Sequence, residues 1–316
     1  MATPTDPILG GDRASLVRRP SVRSRGEAAI RAVLLAASAV SVVTTGLIIF
    51  FLLKETIGFF GEVGVADFLF GTKWSPQFAG DQQSFGVLPL VWGTVYLTLI
   101  ALVVAVPLGL LSAIYLAEFA SPRLRRIIKP VLETLAGVPT IVFGYFALTF
   151  FTPSILRGVG IEVGQFNALA AGIIMGFLVL PTIASVSEDA MSAVPQSLRE
   201  GAFGLGATRR QVAIRVVFPA ALSGVVAGLI LGASRAIGET VVVLIAGGQS
   251  ANLGLDPREG HQSMAAYIAA QARGDIPQGS VEYKTIFVVG FTLFVMTLVL
   301  NVFSIRLVRK YRQVYE

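Results

Sequence analysis

The chain has 316 residues, of which 54% are apolar and only 14% charged, and it carries a net charge of +6. That charge fraction is far below the quarter usual in soluble domains, and with a mean hydropathy of +0.75 it points to a membrane protein. There is no cysteine and one histidine, His261 in a polar stretch, which excludes disulfides and thiolate metal sites and gives no reason to expect a metal or other cofactor.

Residues 1–31 are polar, contain three prolines and carry six arginines, which reads as a disordered basic tail. The next run, Ala32 to Leu53, is uncharged, too long for a signal-peptide core and long enough to cross a bilayer. Five more apolar runs follow, at about Val87–Leu116, Val131–Thr152, Phe166–Val186, Ala220–Ala246 and Thr285–Ile305. The spacing predicts an all-α polytopic protein with six transmembrane helices, organised as one membrane domain over residues 32–316. Of the 25 lysines and arginines, 18 fall in the two tails and the loops after spans 2 and 4, six fall in the three opposite loops, and Arg235 lies within span 5. This split predicts cytoplasmic termini, and anionic lipid headgroups account for the basic surface more simply than nucleic acid does.

The expected outer loops have content of their own. Residues 54–86 hold Phe59, Phe60 and Trp74, and Ser263–Ala272 reads as a short amphipathic helix at the membrane interface with Met264 and Tyr267 on its buried side. Within the spans, Gly172 and Gly176, and then Gly224, Gly228 and Gly232, form small-residue stripes suited to close helix packing. Glu133, four residues after Lys129, is expected to pair with it or to snorkel to the interface, a place in the lining of the inner mouth being the other reading.

The loop between spans 4 and 5, about residues 188–218, begins with a helix signal, since Ser197 followed by Glu200 reads as a capping box. Gly201, Ala202, Gly204, Gly206 and Ala207 leave little side-chain bulk, Arg209, Arg210 and Arg215 add a basic edge, and Pro219 opens the next span. An ordinary connecting loop is the competing reading. The stretch EGAFGLGATRRQVAIRVVFPAA resembles the EAA loop of ABC importer permeases: Glu200, Ala202, Gly206 and Pro219 match in type and spacing, while Gly201, Val216 and Phe218 replace alanine, isoleucine and leucine. The resemblance implies a coupling helix, with Glu200, Gly201, Ala202, Gly206 and Arg209 in contact with a separate ATPase. None of the five lysines follows a glycine, so the chain holds no Gly-Lys of a standard phosphate-binding loop.

In span 5, Arg235 and Glu239 are the only charges between Val216 and Asp256. A continuous helix would place them on one face, free to pair, with Arg235 about 24 Å from Pro219. A charge at such depth faces protein or a water-filled path rather than lipid. One reading is a structural ion pair; the other is an anion site in which the planar arginine fork meets a tetrahedral oxyanion, with Ser234 and Thr240 offering hydroxyls.

The sequence SRAIGET, Ser234 to Thr240, and the stretch from Pro107 to Leu148 resemble the permeases of the ABC-type phosphate importer, and the run from Lys129 to Pro139 is more similar to the PstC branch than to the PstA branch. The resemblance covers most of the chain from Val87 onward. It implies the type I ABC importer permease architecture in a prokaryotic plasma (inner) membrane, a non-catalytic subunit that works by alternating access, and a substrate path through Arg235 and Glu239. It further implies a second PstA-like permease, a dimer of PstB-like ATPase subunits and an extracytoplasmic PstS-like phosphate-binding protein. A permease for a related oxyanion stays open, as does a stand-alone secondary transporter. The latter calls for inverted halves, of which there is no clear sign. A membrane enzyme would need a nucleophile or metal ligands in the spans, and His261 alone does not supply them.

Overall fold

The computed structural model describes residues 22–311, apart from 79 and 275; the tail up to residue 21 lies outside the described residues. Two units are distinguished, one ending at Phe51 and the other beginning at Leu52. The first is helical from Val22, so residues 22–31, expected in the tail, are part of a helix. That helix, α1 (Val22–Phe60), carries the uncharged run Ala32 to Leu53.

The second unit continues through α2 (Val65–Phe70), a two-residue antiparallel ribbon of β1 (Trp74–Ser75) with β2 (Ser84–Phe85), and α3 (Leu88–Ile114). α3 ends in a π-helical turn, Tyr115–Phe119. Next come α4 (Pro122–Ala136), α5 (Thr140–Phe146), which runs on as π-helix to Leu156, and α6 (Ala168–Ser192). The following loop holds α7 (Gln196–Gly204), α8 (Arg209–Val212), a π-helical turn and α9 (Phe218–Ala220). α10 (Leu222–Ile237), α11 (Met264–Gln271) and α12 (Val281–Tyr311) complete the chain. Among the described residues, four helices are individually long and apolar enough to cross a membrane, and there are six such spans if each of two bent pairs counts as one.

α6 is the centre of the second unit, with α3 on one side and α10 on the other. Gly172 and Gly176 face α3, where a Cβ on Gly176 would stand 2.8 Å from the Ala101 carbonyl oxygen. Gly228 and Gly232 of α10 face α6, where a Cβ on Gly232 would stand 2.6 Å from Ile183 Cγ1, and Gly224 meets Ala190. Both stripes therefore set how closely backbones approach, as small residues do in membrane helix pairs. Leu97, Ala101, Met175, Leu178, Ile183 and Ala236 are fully or almost fully buried between these helices.

Two expected spans are broken. The third, Val131–Thr152, is divided at Gly137–Pro139, where the helix axis turns by 85°. Pro139 disfavours helical backbone at Val138 and cannot donate to the turn before it. The fifth, Ala220–Ala246, turns by 72° at Ala221 and ends its straight part at Ile237, before Gly238. A distance from Pro219 to Arg235 along one straight helix is therefore not realised.

The expected interfacial helix is also different. α11 is capped by the Ser263 hydroxyl, which accepts from the Ala266 N–H, and it packs against α3 and α12. Met264, Ala265, Ala266, Tyr267 and Gln271 are buried, which leaves no continuous polar face. The Tyr267 and Thr285 hydroxyls are bonded at 2.7 Å, and Phe59, Phe68, Trp74 and Val288 join Met264 and Tyr267 in a second core. Enclosure by Trp74, Phe68 and α12 replaces the lipid surface that the pattern suggested. His261 is fully buried too, beneath the Tyr96 ring, with Nε2 3.0 Å from the Gly254 carbonyl oxygen.

Candidate functional site

The helix that carries Arg235 stops two residues later, and this separates the two charges expected to pair. Arg235 turns toward α6 and the end of α4: Nη1 donates to Thr182 Oγ1 at 3.1 Å, and Nη2 donates to the Ala136 carbonyl oxygen at 3.3 Å. Among the described residues, no carboxylate lies within ion-pair distance of it. Glu239 instead caps the start of the next helical segment, where its Oε1 accepts from the Val241 and Val242 N–H groups, both at 3.1 Å. It is 8% exposed. A carboxylate that caps a helix start satisfies two orphan donors and complements the local dipole. The expected Arg235–Glu239 pair is thus corrected to one half-buried cation among neutral oxygens and one capping carboxylate.

The flanking hydroxyls are engaged locally. Ser234 Oγ reaches Asn301 Oδ1 at 3.4 Å, and Thr240 Oγ1 donates to the Gly238 carbonyl oxygen at 3.1 Å. A groove of about 700 Å³ borders this region, lined by Val142, Phe143, Phe146, Phe177, Leu180 and Pro181 among other apolar side chains. Its lining side chains are uncharged.

The loop before α10 holds the second group of expected residues. Its first helix begins at Gln196 behind Pro195, so Ser197 is already inside the helix and forms no cap. The capping box lies later: Thr208 Oγ1 accepts from the Gln211 N–H at 3.3 Å, and the Thr208 N–H donates to Gln211 Oε1 at 2.7 Å. Gly206 takes φ +82°, the left-handed region that ends a helix without a Cβ penalty. Its N–H donates to the Phe203 carbonyl, and the Ala207 N–H donates to that of Ala202. Glu200, Gly201, Gly206 and Arg209 are exposed and Ala202 is half-buried. The Arg209 guanidinium lies 5.7 Å from the centre of the Phe119 ring. Leu205, next to Gly206, is 91% exposed, an apolar tip that the pattern of small residues did not single out.

Ion pairs at the base of this loop were not legible in the sequence. Lys129 does not pair with Glu133: its ammonium reaches Glu188 Oε2 at 2.7 Å and also contacts Asp189. Arg125 pairs with the same Glu188, and Arg199 Nη2 binds Glu118 Oε1 at 3.0 Å. On the far side of the unit, Arg258 holds Asp256 through its side chain and its backbone N–H, which lowers the Asp256 pKa to about 2.

Residues 105–313 match the family of binding-protein-dependent transport system inner membrane components. The chain is 32% identical over 280 residues to the phosphate transport system permease protein PstC of Haemophilus influenzae, covering 82% of this chain and 84% of that protein. It is 34% identical over 235 residues to the probable ABC transporter permease protein YqgH of Bacillus subtilis, covering 74% and 75%. Among solved structures, a chain of the bacterial alginate ABC transporter in complex with its pentasaccharide-bound periplasmic protein superposes with a TM-score of 0.62 at 19% identity, covering 90% of this chain and 96% of that one. The helical arrangement is therefore that of ABC importer permeases, and the chain belongs to the binding-protein-dependent transport system inner membrane component family.

Proposed function

We propose that this chain is the PstC-like permease subunit of an ATP-driven phosphate importer and that Arg235 is its contact with the cargo. The observation that carries the reading is the state of Arg235: a guanidinium in the membrane domain that donates to a hydroxyl and a carbonyl oxygen. A cation in that position, with no carboxylate to neutralise it among the described residues, is poised to accept an oxyanion through two parallel N–H donors. The name of the Haemophilus relative, a phosphate transport system permease, supports phosphate as the oxyanion.

A second, PstA-like permease completes the path, and the loop around Glu200 and Leu205 docks on a PstB-like ATPase. An extracytoplasmic PstS-like binding protein delivers phosphate, and both termini are cytoplasmic. In this reading ATP is hydrolysed by the partner, in keeping with the lack of any Gly-Lys in the chain. Transport is alternating access, with the site open to one side at a time. Glu239 acts by fixing the backbone just after Arg235 rather than by neutralising it.

The test is Arg235→Ala in the assembled importer in proteoliposomes loaded with ATP. Phosphate uptake is expected to fall at least a hundredfold while the complex still assembles. Wild-type uptake in that variant, or uptake by this chain alone without an ATPase, would overturn the reading. Competition by sulfate and molybdate settles whether phosphate or a related oxyanion is the cargo.

A further inference from the structure

The C-terminal end of α6 is an ionic junction. Glu188 is fully buried there and accepts from Lys129 at 2.7 Å, from the Ser192 hydroxyl at 2.9 Å, and from Arg125. Arg125 also donates to Ser192 Oγ at 2.8 Å, and Lys129 contacts Asp189. Both cations belong to α4. Just beyond, Arg199 of α7 donates to the Met191 carbonyl at 2.8 Å and to that of Val194, and it pairs with Glu118. The last turns of α6 are thus tied to α4 through Arg125 and Lys129, and to α7 through Arg199. The opposite end of α4 is Ala136, whose carbonyl oxygen receives the Arg235 guanidinium.

These contacts put α4 between the loop and Arg235. The helix spans about 21 Å, held at its basic half by Glu188 and at its last residue by Arg235. A fully buried carboxylate that satisfies two cations is costly to leave with either partner missing, so each contact supports the others. It is not an anion site: Arg125, Arg126 and Lys129 line a cavity of about 520 Å³, but Glu188, Asp189 and Glu133 balance their charge.

We propose that Glu188 is a positioning residue that makes α4 move with the loop, so that displacement of α7 is passed to the Ala136 carbonyl and changes its hold on Arg235. When the carbonyl is withdrawn, the guanidinium has a free donor for cargo; when it returns, it competes with the cargo and favours release. The proposal rests on the reading of Arg235 as the cargo contact and of the loop as the ATPase dock.

The experiment uses the assembled importer in proteoliposomes and measures phosphate uptake and ATP hydrolysis together. Glu188→Gln keeps the shape but leaves two cations without their carboxylate. It is expected to keep hydrolysis within twofold of wild type while lowering phosphate carried per ATP at least tenfold, and Glu188→Asp is expected to recover at least a third of that ratio. The natural chain has no cysteine, so spin labels can be placed at Val131→Cys and Phe203→Cys, both exposed. Their distance distribution is expected to stay narrow in nucleotide-free and vanadate-trapped states when Glu188 is present, and to broaden in Glu188→Gln. An unchanged ratio with an unchanged distribution in Glu188→Gln would overturn the coupling, even where Arg235→Ala is inactive and the cargo reading stands. If Arg235→Ala transports normally, the cargo reading fails and the label distances alone decide whether α4 follows the loop. If Glu188→Gln does not assemble, Lys129→Gln takes its place, because Arg125 and Ser192 remain on Glu188. A threefold fall in phosphate per ATP supports the junction, and no fall overturns it.

Discussion

Arg235 and Glu239 stand four residues apart, yet the guanidinium bonds to Thr182 and Ala136 while the carboxylate bonds to the backbone of Val241 and Val242. The end of α10 at Ile237 lies between them and decides this. Glu239 would be a poor gate for an anion if it pointed down the path, because it would repel phosphate. As a helix cap its charge is answered by N–H groups, and the repulsion is confined to the segment it starts. The pair is therefore a division of roles, with the cation facing other helices and the carboxylate shaping the chain.

The capping role makes a graded prediction. Glu239→Gln retains an acceptor oxygen for both N–H groups and should leave stability near wild type. Glu239→Ala strands two donors, one buried and one partly buried, and should cost about 1 kcal/mol, within the range for lost caps. Denaturant titration of the purified complex in detergent separates the two variants. Equal destabilisation by both would mean that the charge, not the cap, is what matters.

The α6–α10 contact makes a second prediction. A Cβ at Gly232 would stand 2.6 Å from Ile183 Cγ1, and Ile183 is itself fully buried. Gly232→Val therefore overpacks a contact that cannot relax outward, at a cost of about 1–3 kcal/mol. Gly201, where nothing lies within 4 Å of the added carbon, is the control. The expected result is a lower unfolding midpoint for Gly232→Val and none for Gly201→Ala.

The contrast between these sites shows what the sequence carries. Long uncharged runs and glycines four apart are local signals, and both the spans and the close-packed stripe were legible from them. The breaks at Gly137–Pro139 and Gly238 lie inside runs that remain apolar, so hydropathy passes over them. The Glu188 junction joins residues 59 to 67 positions apart, and no local pattern announces such a pair. His261 sits in a polar stretch but is buried because Tyr96 and the chain around Gly254 close over it. The candidate residues were thus named from type and spacing, while their partners depend on where the helices turn.

Asp256 gives a pH prediction. An ordinary aspartate is half ionised at pH 3.8, but hydrogen bonds from the Arg258 side chain and backbone lower this group to about 2. Its folded pKa is below the unfolded one, so the contact stabilises the loop at pH above about 4 and is lost as pH falls through 2. The effect is small, since the pair is open to solvent. Carboxyl carbon NMR at pH 4 should find Asp256 almost wholly ionised, and Arg258→Gln should return its midpoint to the ordinary range.

The exposed loop gives the last prediction, in two variants that separate backbone from contact. Gly206 has φ +82°, and an L-residue there carries a penalty of about 1–2 kcal/mol. Gly206→Ala is therefore expected to shift the end of α7 and the Ala202–Ala207 bond that follows from it. Leu205→Ser leaves the backbone alone and removes an apolar side chain that is 91% exposed, so folding should be unaffected to within about 0.5 kcal/mol. A leucine that exposed covers none of the chain's own core. If the loop is the ATPase dock, Leu205→Ser should weaken association with the ATPase at least tenfold in a surface-binding assay while the unfolding midpoint stays put. Gly206→Ala should lower both. Full-strength ATPase binding by Leu205→Ser would place the dock elsewhere on the loop, and full-strength binding by both variants would remove the loop from the interface.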